Sequence, residues 1–588
     1  MKLRIENTRR PGPVRGFLRM RVRAALLGAV FMLAVPAPVL ADSLAGSYLA
    51  GRSAAMQNDF AAAAGFFGTS IAQDPGNLEL MDAATLAYLA LGDVEQALPL
   101  ATAVLAGGQR SQGARMVVTA GLVEAGDFAA VAAQEIEPEG ISPWVDGLVR
   151  AWALIGADDV EGALAQFDAL ATDAGMRGVV LYHKALALAT VGRYAEAEAL
   201  FADDAPGAAA RTRRGVIARV EILSQLGRNA DAVGVIAAIF DGTTDPELDQ
   251  LIGQLEEGGA LPFTHAPTAR AGVAEVYYTF AALLRGEQAN EYYTLLYARI
   301  ARYLRPDHMD ALLLTANLLE GLDQNELAIA EYREVSADNP AYHVAELGRA
   351  AALRRLDRSD QAIEVLEQLA RSHGDLAVVH STLGDTLRAQ DQDQAAIAAY
   401  SRALELIAPD DTRIWLLYFS RGVAYAQDGD PVAAEADFRA ALAVNPDQPQ
   451  VLNYLGYSLV EEQRNLDEAL EMIKRAVAAS PDSGYIVDSL GWVYYRLGRY
   501  EEAVVQMERA VELEPVDPVV NDHLGDVYWA VGRQREAQFQ WKRALSFIDY
   551  GETDTEAQPE RIRRKLEVGL DVVLEEEGAP PLTVANDD

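Results

Sequence analysis

Residues 488–515 read DSLGWVYYRLGRYEEAVVQMERAVELEP, and this stretch decides the fold. Leu490 and Tyr494 are four apart and share one face of a helix. Gly498 ends that helix, and Pro515 stops a second one whose inner face carries Met507 and Ala510. Gly491 and Ala503 are small, so the two antiparallel helices can approach closely. The stretch predicts a helix–turn–helix unit of about 34 residues.

The unit recurs. Gly422, Gly456, Gly491 and Gly525 keep step with Ala434, Ala469, Ala503 and Ala537. So do Tyr425, Leu459, Tyr494 and Tyr528, the bulky set Phe438, Ile473, Met507 and Trp541, and the alanines 441, 476, 510 and 544. Pro446, Pro481 and Pro515 close three units. Several ladders sharing one period mark a repeat architecture rather than a set of unrelated helices. Upstream the ladders are eroded but continue, for example Leu383-Gly384 with Ala396 and Tyr400, Gly192 with Tyr194 and Ala197, and Ala50-Gly51 with Phe60 and Phe67. Between about 44 and 550 the period leads us to expect about thirteen units.

This pattern resembles the tetratricopeptide repeat (TPR): Leu-Gly, an aromatic, Gly-x-Tyr, Ala, a bulky residue, Ala, Pro. The resemblance implies an all-α, right-handed superhelical solenoid whose first helices line a concave groove. The segments 453–459, 488–498 and 521–532 are more particular. They look like a group of exported proteobacterial TPR adaptors (LbcA-like), some of which bring substrates to a carboxy-terminal processing protease. Members of that group are lipid-anchored, whereas this chain has no cysteine to acylate.

Sequence punctuation predicts the domain plan. Eight basic residues from Lys2 to Arg23, an apolar run from Ala24 to Leu40 and a small residue at Ala41 read as a secretory signal over 1–41, with Met20 an alternative start. A degenerate N-terminal TPR solenoid is expected over 42–257. The segment 258–270, with Gly258-Gly259, Pro262 and Pro267, is expected as a break or linker. A C-terminal solenoid follows over 271–550, then a charged capping helix and a loose tail over 551–588.

Composition narrows the function. The 588 residues carry 50 Lys+Arg against 87 Asp+Glu, a net charge of −37, which argues against nucleic acid. The signal takes away eight basic residues and one acidic one, leaving 42 against 86 and a net charge of −44. Zero cysteine excludes disulfides, thiolate metal sites and a cysteine nucleophile. The seven histidines include no HExxH pair, and His373 with His380 reads as a solvated pair. There is no phosphate-binding GxxxxGK[ST] loop and no GxSxG elbow. No catalytic residue, cofactor or metal is expected.

One stripe invites binding. Asp488, Trp492 and Tyr495 are spaced i, i+4, i+7 on a single helix face, and Asp522, Asp526 and Trp529 repeat that spacing. Asn453 and Tyr457 continue the row, and Arg496 adds a positive charge beside Tyr495. Tyr, Trp and Arg are frequent anchors of interfaces. The competing reading is that these aromatics wedge adjacent repeats together. The aspartates favour a peptide with basic or amide groups over a free carboxylate. The expected function is a non-enzymatic scaffold or adaptor of the bacterial periplasm, with protein or peptide partners that include a protease or its substrates. Peripheral association with the outer membrane is left open. The alternative is a cell-envelope scaffold for polysaccharide or peptidoglycan assembly or export.

Overall fold

A computed structural model describes residues 43–134, 140–203, 205–240, 245–548, 557–579 and 582. The expected signal over 1–41 and most of the tail lie outside these residues. The described chain is helical, with no strand among the described residues, and divides into two compact units at 365/366.

The N-terminal unit begins with six helical hairpins, Leu44–Met56 with Phe60–Gln73 through to Arg213–Gln225 with Asn229–Phe240. Each hairpin corner needs a left-handed residue, supplied by Asn58, Gly92, Gly126, Asp158, Gly192 and Gly227. In the first four, the next residue is an aspartate that caps the second helix. Asp59, Asp93, Asp127 and Asp159 each accept from the backbone N–H three residues on. Where an arginine follows instead, at Arg193 and Arg228, its guanidinium reaches the carboxylate three residues on.

The chain then does something its repeat period does not announce. The helices Ala269–Gly286 and Glu291–Leu304 pack across the first helices of the earlier hairpins, among them Leu78–Leu91, Gln112–Glu124 and Pro143–Gly156. Gly272 permits this, because a Cβ there would stand 2.1 Å from the buried Trp152 ring. Tyr292 meets Phe60 at 5.6 Å, and Arg299 Nε donates to the Ala90 carbonyl at 3.0 Å.

The segment expected to separate two domains at 258–270 is therefore a packed crossing inside this unit. Its Gly and Pro residues stop helices, but they do not separate cores. Glu221 accepts from the backbone N–H groups of Thr264 and His265, both at 3.0 Å. Arg305 donates to the His265 carbonyl at 2.6 Å, and Ser224 accepts from Leu261 N at 2.8 Å. Side chains thus satisfy a backbone that no helix serves.

The C-terminal unit holds five hairpins from Ala377–Arg388 with Asp393–Leu406 to Pro518–Ala530 with Gln534–Phe547, followed by short helices Pro559–Val568 and Leu570–Glu576. Here the sequence ladders become contacts. A Cβ on Gly384, Gly422, Gly456, Gly491 or Gly525 would meet Tyr400, Phe438, Ile473, Met507 or Trp541 at 2.4–2.8 Å. Each glycine thus gives the bulky residue of its own second helix a place to sit. A further ladder ties neighbouring repeats: Arg475, Arg509 and Arg543 donate to the carbonyls of Pro446, Pro481 and Pro515 at 2.6–2.8 Å.

Candidate functional site

The stripe residues lie on the first helices Pro449–Glu461, Gly484–Arg496 and Pro518–Ala530, and a side chain caps the first turn of the first and the third. Asp517, for instance, accepts from the backbone N–H groups of Val519 and Val520. Five of the nine residues fall into two contact networks, one around Trp492 and one around Trp541. Trp492 stacks on Tyr495, with ring centroids 4.8 Å apart at 17°, and on His523, 4.0 Å apart at 15°. Its Nε1 donates to Glu461 at 2.9 Å. His523 Nδ1 is 3.0 Å from Asp488 Oδ2. Trp541 Nε1 donates to Asp526 at 2.9 Å, and the Trp529 ring lies 5.4 Å from Trp541. The wedge between repeats is therefore real for Trp492, which reaches across to the following repeat through His523.

Arg496 is exposed and Trp492 and Trp529 are half-buried, whereas Asn453, Tyr457, Asp488, Tyr495, Asp522 and Asp526 are buried. Burial lifts the Tyr495 hydroxyl well above its ordinary range, with the Asp526 charge adding to it. Two carboxylate or amide oxygens at the equivalent position of successive repeats, Asn453 Oδ1 and Asp488 Oδ1, are buried without a hydrogen-bond partner.

The third equivalent, Asp522, is engaged by a residue from outside the three helices that carry the stripe: Lys565, on the Pro559–Val568 helix. Its Nζ donates to Asp522 Oδ1 and Oδ2 at 2.8 and 2.9 Å and to Asp526 Oδ1 at 2.6 Å. Arg561, one turn earlier, approaches Asp526 Oδ2 at 3.5 Å. Trp529 Nε1 donates to Asp571 at 2.8 Å. Burial raises the Asp522 carboxyl, and Lys565 only partly offsets it. The acidic, aromatic face thus accepts basic side chains. The sequence predicts a capping helix here but does not point to Lys565, because no spacing links it to residues 39 and 43 positions earlier.

A second ionic cluster, with no motif to announce it, lies in the N-terminal unit. Glu275 receives Arg214 on both oxygens at 2.6 and 3.0 Å, Tyr182 OH at 3.0 Å, and lies 3.1 Å from His308 Nε2. Burial alone would raise Glu275, but Arg214 and His265 hold it well below the carboxylate range. Arg214 also reaches Asp310 at 2.6 Å. These groups satisfy one another and pin the 258–270 crossing. His373 and His380 are engaged separately, with Ser372 and with the Gly374 carbonyl. Among the described residues no group of three His, Cys, Asp or Glu is placed to hold a metal ion. No helix among them is long and apolar enough to cross a membrane.

Comparisons with known proteins find the same repeat. A tetratricopeptide repeat family model matches residues 419–484 and 459–518, and another matches 178–203. A TPR repeat-containing protein of Pseudomonas aeruginosa is 30% identical over 173 residues, covering 29% of this chain and 28% of that protein. The match thus spans little more than a quarter of the relative's own length. Among solved structures, the Cut9–Hcn1 hetero-tetramer of the APC/C gives a TM-score of 0.37 at 15% identity, over 89% of this chain and 96% of that one. YrrB, a TPR protein with an unusual peptide-binding site, gives 0.26 at 20% identity, over 32% of this chain and 95% of that one. Segments 178–203 and 419–518 are tetratricopeptide repeats, each set in a unit whose described residues form helical hairpins.

Proposed function

We propose that this protein is a non-enzymatic scaffold that binds partner proteins through the first-helix face of its C-terminal repeats. Tetratricopeptide arrays generally serve as protein-binding scaffolds, and the chemistry of this face suits that role. The observation that carries the reading is the pair Asp522 and Asp526 beside Trp492, Tyr495 and Trp529, already gripping a lysine and an arginine from another segment. Such a face selects basic side chains, and the net charge of −37 draws basic partners to it.

The basic-then-apolar N-terminal sequence supports work in the periplasm of a bacterium. An adaptor role for a carboxy-terminal processing protease is the finer form of this proposal. The alternative, a scaffold for envelope polysaccharide or peptidoglycan, draws on stacked aromatics. It is the weaker reading, because Trp492 already stacks on Tyr495 and His523 within the protein. The test is capture of partners from living cells with the intact protein, comparing wild type with Trp492→Ala/Trp529→Ala. Loss of the captured proteins with retained helical content is expected. Unchanged capture would remove this face from the account, and sacculus binding lost in the same variant would favour the glycan scaffold.

A further inference from the structure

The acidic end of the binding face is covered by the chain's own residues 559–571. We propose that the Pro559–Val568 helix is a displaceable stand-in for a partner, and that the site beneath it takes an amphipathic helix carrying two basic side chains four residues apart. The proposal rests on the protein-binding reading above and adds the occupant's form and the step that frees the site.

Three observations carry it. First, the contact is built on one helical spacing. Arg561 and Lys565 reach Asp526 and Asp522, and Ile562 between them is fully buried. Arg561 is shared with Glu577 at 2.8 Å, and Trp529 holds Asp571, so the footprint is a short helix with a basic stripe flanked by acceptors. Second, the helix is short and buries few side chains compared with the repeats it covers. It has ten residues, and only Ile562 and Lys565 among its side chains are buried. Glu560, Arg563, Arg564 and Glu567 pair with one another or with Glu576 at the surface. A helix this short is marginal by itself, so undocking and local unfolding come together at the low end of the stability range. Third, the row of acceptors continues past the helix's reach. Asp488 Oδ1 and Asn453 Oδ1, at the positions equivalent to Asp522 in the two preceding repeats, are buried and have no partner. A longer basic helix, or one shifted toward the preceding repeats, finds acceptors there that the resident helix leaves unused.

The geometry also explains how the resident helix is set. Gly569 follows it at φ +88°, and a Cβ there would stand 2.6 Å from the Trp529 ring. Gly569→Ala therefore pushes the helix off without altering either aspartate.

Two measurements on the full-length protein test the proposal. Native-state hydrogen exchange should show the amides of 559–576 exchanging at least about 100-fold faster than those of the 518–547 hairpin, the mark of sub-global opening. Equal protection would make the helix an integral part of the last repeat and overturn the proposal. A fluorescent synthetic peptide of residues 557–579 should then bind Lys565→Glu and Gly569→Ala proteins at least about tenfold more tightly than wild type, whose site is filled. The same peptide carrying Lys565→Glu should bind them about tenfold more weakly. Folded variants that bind the peptide no better than wild type, or that ignore its lysine, would also overturn it. If one variant loses helical content, the other and the wild-type exchange data decide. Both readouts are independent of cellular partners: failure to capture any partner would sink the proposed function while leaving this occupancy intact.

Discussion

Lys565 Nζ lies 2.8 Å from Asp522 Oδ1, across 43 residues of chain, with the lysine side chain wholly buried and the aspartate nearly so. A buried pair of this kind holds only while both members are present. Removing one leaves a charge that neither water nor a partner stabilises, a loss of about 3–5 kcal/mol. Lys565→Met should therefore undock the C-terminal helix, and Asp522→Asn with Asp526→Asn added should restore most of the docking. Because so short a helix can open without the repeats unfolding, global unfolding in denaturant should shift by less than the full cost of the broken pair. Exchange at 559–576 should rise in the single variant and fall back in the triple. A triple variant as exposed as the single one would show that charge is not what seats the helix.

The glycine ladder gives a graded prediction. A Cβ on Gly525 meets the Trp541 ring at 2.4 Å, and one on Gly491 meets Met507 Cγ at 2.8 Å. The indole is rigid and fully buried, whereas methionine adapts by rotating about three bonds. Gly525→Ala should cost at least about 1–3 kcal/mol, and Gly491→Ala distinctly less. Denaturant unfolding of the two variants checks the order. Equal costs would mean that the ring is not wedged against the first helix.

Acid should weaken the N-terminal unit. Burial lowers His183 and His308 to about 4, and Trp152 Nε1 donates to His183 Nδ1, which requires that nitrogen to be unprotonated. Both are neutral when folded, while an unfolded chain takes up protons below about pH 6.5. Their contribution to stability is complete above that pH and is lost progressively down to about pH 4, about 3 kcal/mol for each residue. Asp146 works the other way: burial raises it to about 6, so its cost is relieved below that pH. Denaturant midpoints between pH 7.5 and 4.5 should fall, and His183→Gln with His308→Asn should flatten the fall. Midpoints independent of pH would contradict the neutral assignment.

How much of this is legible in the sequence follows from the kind of contact involved. The glycine, alanine and bulky ladders between 415 and 550 are readable because each joins two helices of one hairpin, at a spacing that recurs. The arginines at 475, 509 and 543 recur at that period too, and a search for polar as well as apolar ladders finds them before their carbonyl partners are seen. The packing of 269–304 across the early hairpins has no period. Gly272 against Trp152 and Arg299 against Ala90 are single long-range contacts, and so a packed crossing reads as a linker. Asp522 and Asp526 are recognisable as acceptors of basic groups; that the basic group comes from the same chain depends on three-dimensional closure alone.

On the function proposed above, partner proteins bind the first-helix face of the C-terminal repeats and present basic side chains to it. Arg496 is exposed at the edge of that face, and Val505 is exposed on the second helix of the same repeat. The most direct measurement places a photoactivatable crosslinker at 496 or at 505 in the intact protein, irradiates cells that make it, and identifies the captured peptides by mass spectrometry. Capture from 496 of segments bearing paired Lys or Arg is expected, abolished by Trp492→Ala/Trp529→Ala and absent from 505. Equal capture from both positions, or capture from 496 that survives the double variant, would contradict that proposal.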